Sequence, residues 1–461
     1  MSQQQQQHGC QYKPRIHLVE FFMMSAEYIR NQLSTMEVTS ADLYDSGTML
    51  LNNVGIANIR LGAASTSSDS QLSTGMQSSA SATSALQQQP AVRLNNNNCS
   101  MFQVKNRVEM ECGLLDLRMG SANRKHLCKT CGLYGGRQGC PGHFGHIELK
   151  VPLYYIETIA IVKNILSLVC HFCSKPLINQ SALIRAYGGE DAWDQLTYES
   201  RWSKITHFKR SQVCLTSCTG EDLQVPQPSY IVDRLRVQPI WTSTSQWLTE
   251  EIANQKWNKA SDSELETIEQ HSHDQKDRAI RLEYLRQIVD RIFTPADAWV
   301  ILNGIDESML QLMGFLKPNC SVNSSDYIGH PRNMILTVLP VIPNPLRPTT
   351  NYNRGSNSRT QHEKTRKYAT IMQKHIELGE DISNITNGKY NQFTPEIITA
   401  SDKYRELYRS NVRLTDYEWN IATLFDNNIK NVKIDRQRSG KPFTSIQQGF
   451  KGKNGRWRKN T

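Results

Sequence analysis

The chain has 461 residues, 38% of them hydrophobic and 21% charged, which is long enough for two or three domains with a substantial core. No apolar run reaches the roughly eighteen residues that a bilayer span requires, and the N-terminus, "MSQQQQQHGCQYKPRIHLVE", lacks the apolar stretch of a secretory signal. An intracellular protein with no membrane contact is expected. There, eleven cysteines argue for metal ligands before disulfides, and a formal charge of +10 suggests a polyanionic partner.

In chain order, "HLVEFFMMSAEYIRNQL" begins like a strand and ends like a helix, so a fold is expected to start before residue 64. Residues 64–98 are Ser, Gln and Asn with few large apolar side chains. Such a stretch cannot bury enough surface to offset its ordering entropy and reads as a disordered insertion.

The run "CKTCGLYGGRQGCPGHFGHIEL" at 128–149 then places three cysteines, two histidines and six glycines together. Structural zinc takes four tetrahedral ligands from two short knuckles. Cys128 and Cys131 form one, with Gly132 at the turn, and Cys140 and His143 form the other. His146 competes for the fourth position. His143 is preferred because C-x-x-H matches the bite of the first pair, whereas His146 opens the strand-like "HIEL".

Next, Ile159, Val162, Leu166 and Val169 recur at helical spacing and lead to Cys170 and Cys173. Cys214 and Cys218 follow some forty residues on, and the two pairs are expected to share a second site. Cys10, Cys99, Cys112 and Cys320 have no ligand-like neighbours and read as plain thiols. A RING-H2 arrangement is excluded, since position 149 is Leu149 and the next cysteine is Cys170. With four protein ligands at each site no position is left for a catalytic water, so both zinc sites are expected to be structural.

A long helix of mixed charge is expected from about Ser261 to Phe293, and Thr294, Pro295 and Asp297 signal the start of another. "MILTVLPVIPNPLRP" reads as a buried strand running into a rigid extended segment. "YATIMQKHIEL" and "YEWNIATLFDNNI" are helical. From Lys430 to Lys459, ten Lys and Arg face one acid, Asp435.

These residues together resemble a known family. "GLLDLRMGSANRKHLCKTC" and "CPGHFGHIEL" are similar to the start of the largest subunit of multisubunit DNA-directed RNA polymerases, of the eukaryotic or large-DNA-virus type. "ILTVLPVIPNPLRP", "IATLFDNNI" and "RSGKPFTSIQQGFKGKNGRWR" resemble later landmarks of that subunit in the same order. The resemblance implies an α+β clamp module that closes over nucleic acid. It would bind one zinc through Cys128, Cys131, Cys140 and His143, and another through Cys170, Cys173, Cys214 and Cys218. It implies a lid near Asn351 to Lys367, a rudder from Lys430 to Lys441 carrying Arg436, Arg438 and Lys441, and a switch segment in which Lys451, Lys453, Arg456 and Arg458 meet template phosphates.

The expected parts are an N-terminal clamp segment at 1–63, the low-complexity insertion at 64–105, a zinc-bearing core and head at 106–345, and lid, rudder and switch at 346–461. No catalytic residue is expected here. The family's Mg2+-binding motif of the form N-A-D-F-D-G-D does not occur, so Mg2+ would be bound by another chain and this chain alone would be inactive. The partners implied are the second-largest subunit, a chain carrying the rest of the largest subunit, template DNA and the RNA–DNA hybrid. The location implied is the nucleus, or cytoplasm and virion for a viral enzyme with divided polymerase genes; a truncated gene fits the early stop nearly as well. A standalone zinc-containing nucleic-acid-binding or regulatory protein is the alternative.

Overall fold

A computed structural model of the chain describes residues 24–40, 101–104, 107–110, 112–121, 126–135, 139–219, 223–261, 268–316, 329–348, 350–351, 359–387 and 402–450. Of the insertion expected at 64–105 only 101–104 falls within these residues, where it forms a strand rather than continuing the stretch expected to be disordered. Cys10, Cys99, Cys320, Lys451, Lys453, Arg456 and Arg458 lie outside them.

The strands are β1 (Ser34–Glu37), β2 (Met101–Val104) and β3 (Arg107–Met110), β4 (Phe144–Tyr154), β5 (Ser229–Asp233) and β6 (Arg236–Ile240), β7 (Ile335–Val341), and the short β8 (Thr350–Asn351) and β9 (Arg359–Thr360). β2–β3, β5–β6 and β8–β9 are antiparallel pairs. The central sheet has the order β1–β4–β7, with β1 parallel and β7 antiparallel to β4. Helices pack around it, giving the expected mixed α+β class.

β4 alternates as a strand with one covered face should: Ile147, Leu149 and Val151 are buried while His146, Glu148 and Lys150 are only half-buried. β7 keeps its course through Pro340, which lies opposite His146. A proline is tolerated there because β7 is an edge strand and its outer side needs no ladder donor. The Tyr368 hydroxyl closes that edge, donating to the Pro340 carbonyl at 3.1 Å and accepting from the Ile342 N–H at 3.4 Å.

One core joins the sheet to the Glu363–Thr386, Asp402–Ser410 and Val412–Phe425 helices through residues such as Ile147, Leu339, Tyr368, Leu407 and Tyr417. A second surrounds the Ile159–Leu168 helix, where Ile159, Val162 and Leu166 are buried as their spacing requires, with Tyr230 and Val237 of the β5–β6 hairpin and Leu302 of the Pro295–Asn303 helix. A third, much smaller cluster consists of Leu223, Val225, Leu248, Leu282 and Leu285.

That small cluster underlies an arm of two helices, Thr242–Ser261 and Ile268–Asp290. A single helix starting near Ser261 was the expectation. The earlier helix has only Trp247, Leu248, Ile252 and Trp257 among its large apolar residues, too few to give a clear 3.6-residue stripe. Cys112 also departs from expectation: it is disulfide-bonded rather than a plain thiol. The other seven described cysteines are free, so its partner lies outside the described residues.

Two buried ion pairs tie the first core to the second. Thr294 caps the Pro295–Asn303 helix in a capping box with Asp297, and Arg405 grips the same carboxylate at 2.6 and 2.8 Å while donating to the Ile292 carbonyl at 2.8 Å. Arg236 pairs with Glu418 at 2.7 Å, donates to the Tyr408 carbonyl at 2.9 Å and lies over the Tyr408 ring. Burial disfavours the Asp297 charge, but the bonds from Arg405 and Thr294 outweigh it and hold the carboxyl below its ordinary range.

Replacing Arg405 with Ala strands that buried carboxylate and should lower unfolding stability by about 3 kcal/mol at pH 7. A group with a depressed folded-state pKa gives stability above the ordinary carboxylate range that is lost as pH falls through its folded value. The gap between wild type and R405A in urea melts should therefore shrink on acidification.

Candidate functional site

The first candidate centre is built on two tight turns. The isolated bridge between Leu127 and Tyr134 frames one of them. Inside it the Cys128 N–H donates to the Leu133 carbonyl at 2.9 Å and the Gly132 N–H to the Cys128 carbonyl at 2.9 Å. Gly132 adopts φ +68°, a left-handed conformation that glycine accepts without strain. The second turn starts where the Cys140 N–H bonds to the Tyr134 carbonyl at 2.9 Å. Backbone N–H groups aim at the sulfurs, from Thr130 to Cys128 at 3.3 Å and from Gly142 to Cys140 at 3.4 Å.

The turns bring the sulfurs of Cys128, Cys131 and Cys140 and a ring nitrogen of His143 within 4.8 Å of one another. Cys128 and Cys140 are 1% and 4% exposed. The His143 Nε2 atom is buried and has no hydrogen-bond partner. A lone nitrogen facing three thiols fits a cation, since a buried polar atom is otherwise satisfied by a hydrogen bond. His146 is engaged elsewhere: its Nδ1 lies 2.8 Å from the Ser34 hydroxyl and its Nε2 3.6 Å from Glu148.

The second centre repeats the first turn. A bridge between Val169 and Pro176 frames it, the Cys170 N–H donates to the Lys175 carbonyl at 2.8 Å, and the Ser174 N–H donates to the Cys170 carbonyl at 3.0 Å. Ser174, four residues after Cys170 as Gly132 is after Cys128, has φ +62°. The other turn lies inside a bridge between Val213 and Pro226, with Ser217 at φ +46°. Cys170, Cys173, Cys214 and Cys218 then present four sulfurs within 4.8 Å.

Crowding three thiols in the first cluster and four in the second shapes their acidity. Burial pushes the Cys170 thiol up to about 12 and the Cys140 thiol up to about 11. Burial also opposes ionisation of Cys214, but the Thr216 hydroxyl and the N–H groups of Cys218 and Thr216 overcome it and lower its pKa to about 6. Thiols packed this closely cannot all ionise without a cation between them. Both clusters can therefore hold a metal ion, and thiolate-rich four-ligand sets suit a soft or borderline one.

A third feature is a loop at 436–442. The Gln437 N–H donates to the Lys441 carbonyl and the Gly440 N–H to the Gln437 carbonyl, both at 2.8 Å, and Arg436 bridges Pro442. Arg436, Arg438 and Lys441 are exposed on it. Its base is fixed by Asn427, which donates to the carbonyls of Asp435 at 3.0 Å and Phe443 at 2.8 Å and accepts from the Asp435 N–H at 2.8 Å. Lys367 takes up the Asp435 carboxylate at 2.9 Å, turning the one acid of this run toward the core.

The sequence reading missed Asn427, which signals itself only as a buried amide at the end of an apolar helix. At the expected lid, β8 pairs with β9, residues 352–358 lie outside the description, and the segment from Glu363 onward belongs to a helix.

Residues 84–461 match the family described as RNA polymerase Rpb1, domain 1. The chain belongs to this family. It is 27% identical over 370 residues to the DNA-directed RNA polymerase II subunit RPB1 of Euplotoides octocarinatus, an alignment covering 78% of this chain and 63% of that protein. It is 26% identical over 356 residues to the DNA-directed RNA polymerase subunit Rpo1N of Methanocaldococcus jannaschii, covering 76% of this chain and 20% of that one. The chain thus spans less than two thirds of either relative. Among the described residues no helix is long and apolar enough to cross a membrane.

The two histidines give a direct comparison. His143→Ala should lose the metal of the first centre while His146→Ala keeps it, as read by metal analysis of the dialysed variants. The reverse result would move the fourth ligand to His146.

Proposed function

We propose that this chain is the N-terminal portion of the largest subunit of a DNA-dependent RNA polymerase, acting as the clamp that holds template DNA and the RNA–DNA hybrid inside the cell. The observation that carries this reading is the family match over 84–461, joined to two four-ligand clusters within the matched region. We assign zinc to both, with Cys128, Cys131, Cys140 and His143 on one ion and Cys170, Cys173, Cys214 and Cys218 on the other. Structural zinc contributes its binding energy directly to folding, which suits turns with little apolar core of their own.

Nucleic acid would meet the basic end. Arg436, Arg438 and Lys441 offer cations on a braced loop, and Lys451, Lys453, Arg456 and Arg458 extend the run beyond the described residues. Such contacts neutralise phosphates irrespective of base sequence.

Nucleotidyl transfer in this enzyme class uses Mg2+ held by clustered carboxylates. The aspartate motif that would supply them does not occur in these 461 residues, and the part proposed for these residues is grip. The partner proposed is the second-largest subunit.

Replacing Lys451, Lys453, Arg456 and Arg458 with Ala in the assembled enzyme should weaken binding to all DNA sequences alike. It should also flatten the dependence of affinity on salt, by close to one unit of log–log slope per lost contact. An unchanged slope would place these residues away from the phosphates.

A further inference from the structure

The two thiol clusters differ in what they anchor and in how they would fail. Cys170 and Cys218 have sulfurs 3.7 Å apart, and Cys173 and Cys214 3.6 Å apart, so each close pair joins one turn to the other. Cys218 is exposed and Cys173 and Cys214 are half-buried. In the first cluster one ligand is a histidine, and Cys131 is exposed as Cys218 is, but its two partners Cys128 and Cys140 are almost fully buried. An oxidised Cys131 therefore has no accessible thiol beside it, whereas Cys173 and Cys214 in the second cluster are both half-buried.

The second cluster is also the footing of the helical arm. Phe172, between Cys170 and Cys173, packs against the small core of Leu223, Val225, Leu248, Leu282 and Leu285. Leu223 and Val225 come five and seven residues after Cys218, while Leu248 and the pair Leu282 and Leu285 come from the arm's two helices. Beside this contact lies a cavity of about 250 Å³ lined by Phe172 and Trp241 on one side and Tyr284 and Ile288 of the arm on the other. Among the described residues, five buried side chains with Phe172, Trp247 and Ile252 partly buried against them, and an unfilled seam alongside, make a weak attachment once the turns beneath it are free to move.

We propose that the second cluster is an oxidation-sensitive anchor: peroxide converts its thiolates to disulfides, expels the metal and loosens the Thr242–Ser261 and Ile268–Asp290 arm, while the first cluster stays intact. The proposal rests on the zinc reading above. In the first step a thiolate attacks one peroxide oxygen, breaking the O–O bond to give a sulfenic acid and hydroxide. The facing thiolate then attacks the sulfenic sulfur, forming the S–S bond and releasing a second hydroxide. Two peroxide molecules thus oxidise four thiolates to two disulfides with four hydroxides released, and the metal leaves as a divalent ion.

The test uses the full chain titrated with hydrogen peroxide. Zinc release is followed with a colorimetric chelator, disulfides by peptide mass, and amide hydrogen exchange over 242–252 and 277–290. The expected result is loss of one zinc at about two peroxides per chain, with a cross-link joining the Cys170–Cys173 segment to the Cys214–Cys218 segment. Cys128, Cys131 and Cys140 should remain unoxidised, and arm exchange should rise about tenfold or more. Oxidation of the first cluster before or together with the second, or unchanged arm exchange after the cross-link forms, would overturn the proposal. Untreated chain without zinc would refute the metal reading instead, and the cross-link and arm exchange would still decide this one.

Discussion

A buried guanidinium holds the centre of this structure. Arg347 is 1% exposed. It donates to the Ile342 carbonyl at 2.9 Å, to the Leu114 carbonyl, and to the Thr365 hydroxyl at 3.4 Å. Burial lowers its pKa to about 10, so it remains charged at neutral pH. Those bonds fasten three elements at one point: the end of β7, the 112–121 turn and the Glu363–Thr386 helix. Asn344 adds a second fastening, donating to the carbonyls of Asp116 and Gly120 at 2.8 and 3.0 Å.

The first metal cluster depends on that fastening. The chain between its turns and β4 passes so close to the proline segment that a Cβ at Gly142, where φ is +93°, would lie 2.6 Å from the Pro343 Cβ. The His143 N–H donates to the Met119 carbonyl at 3.2 Å, setting the imidazole against the same turn that Arg347 holds. The cluster is thus rigidly mounted on the sheet, whereas the second stands at the junction of the second core with a lightly packed arm. The same local turn serves two mechanical purposes because its surroundings differ.

Much of this was legible where the determining forces are local. The C-x-x-C and C-x-x-H spacings, the alternation in "HIEL", and the Thr294 to Asp297 cap each depend on a few consecutive residues, and the structure reproduces their geometry. The joining of Cys170 and Cys173 to Cys214 and Cys218 was expected from zinc chemistry, but the turns that achieve it use Ser174 and Ser217 at positive φ, where glycine would have been the readable signal. Arg347 and Asn344 were not legible: they sit in a proline-rich stretch that reads only as a rigid extended segment, and the partners Leu114, Asp116 and Gly120 that fix their place are more than two hundred residues away in the chain. The pairing of Arg405 with Asp297 and of Arg236 with Glu418 was hidden for the same reason, since charge in a sequence does not reveal which carboxylates will be desolvated.

The proposed role rests most heavily on both four-ligand clusters holding zinc within this polymerase family. Its most direct test is the metal content of the purified full chain, washed with a mild chelator and then acid-denatured for elemental analysis. Two zinc ions per chain is the expected result. One ion or none, or a different metal in either cluster, would contradict it.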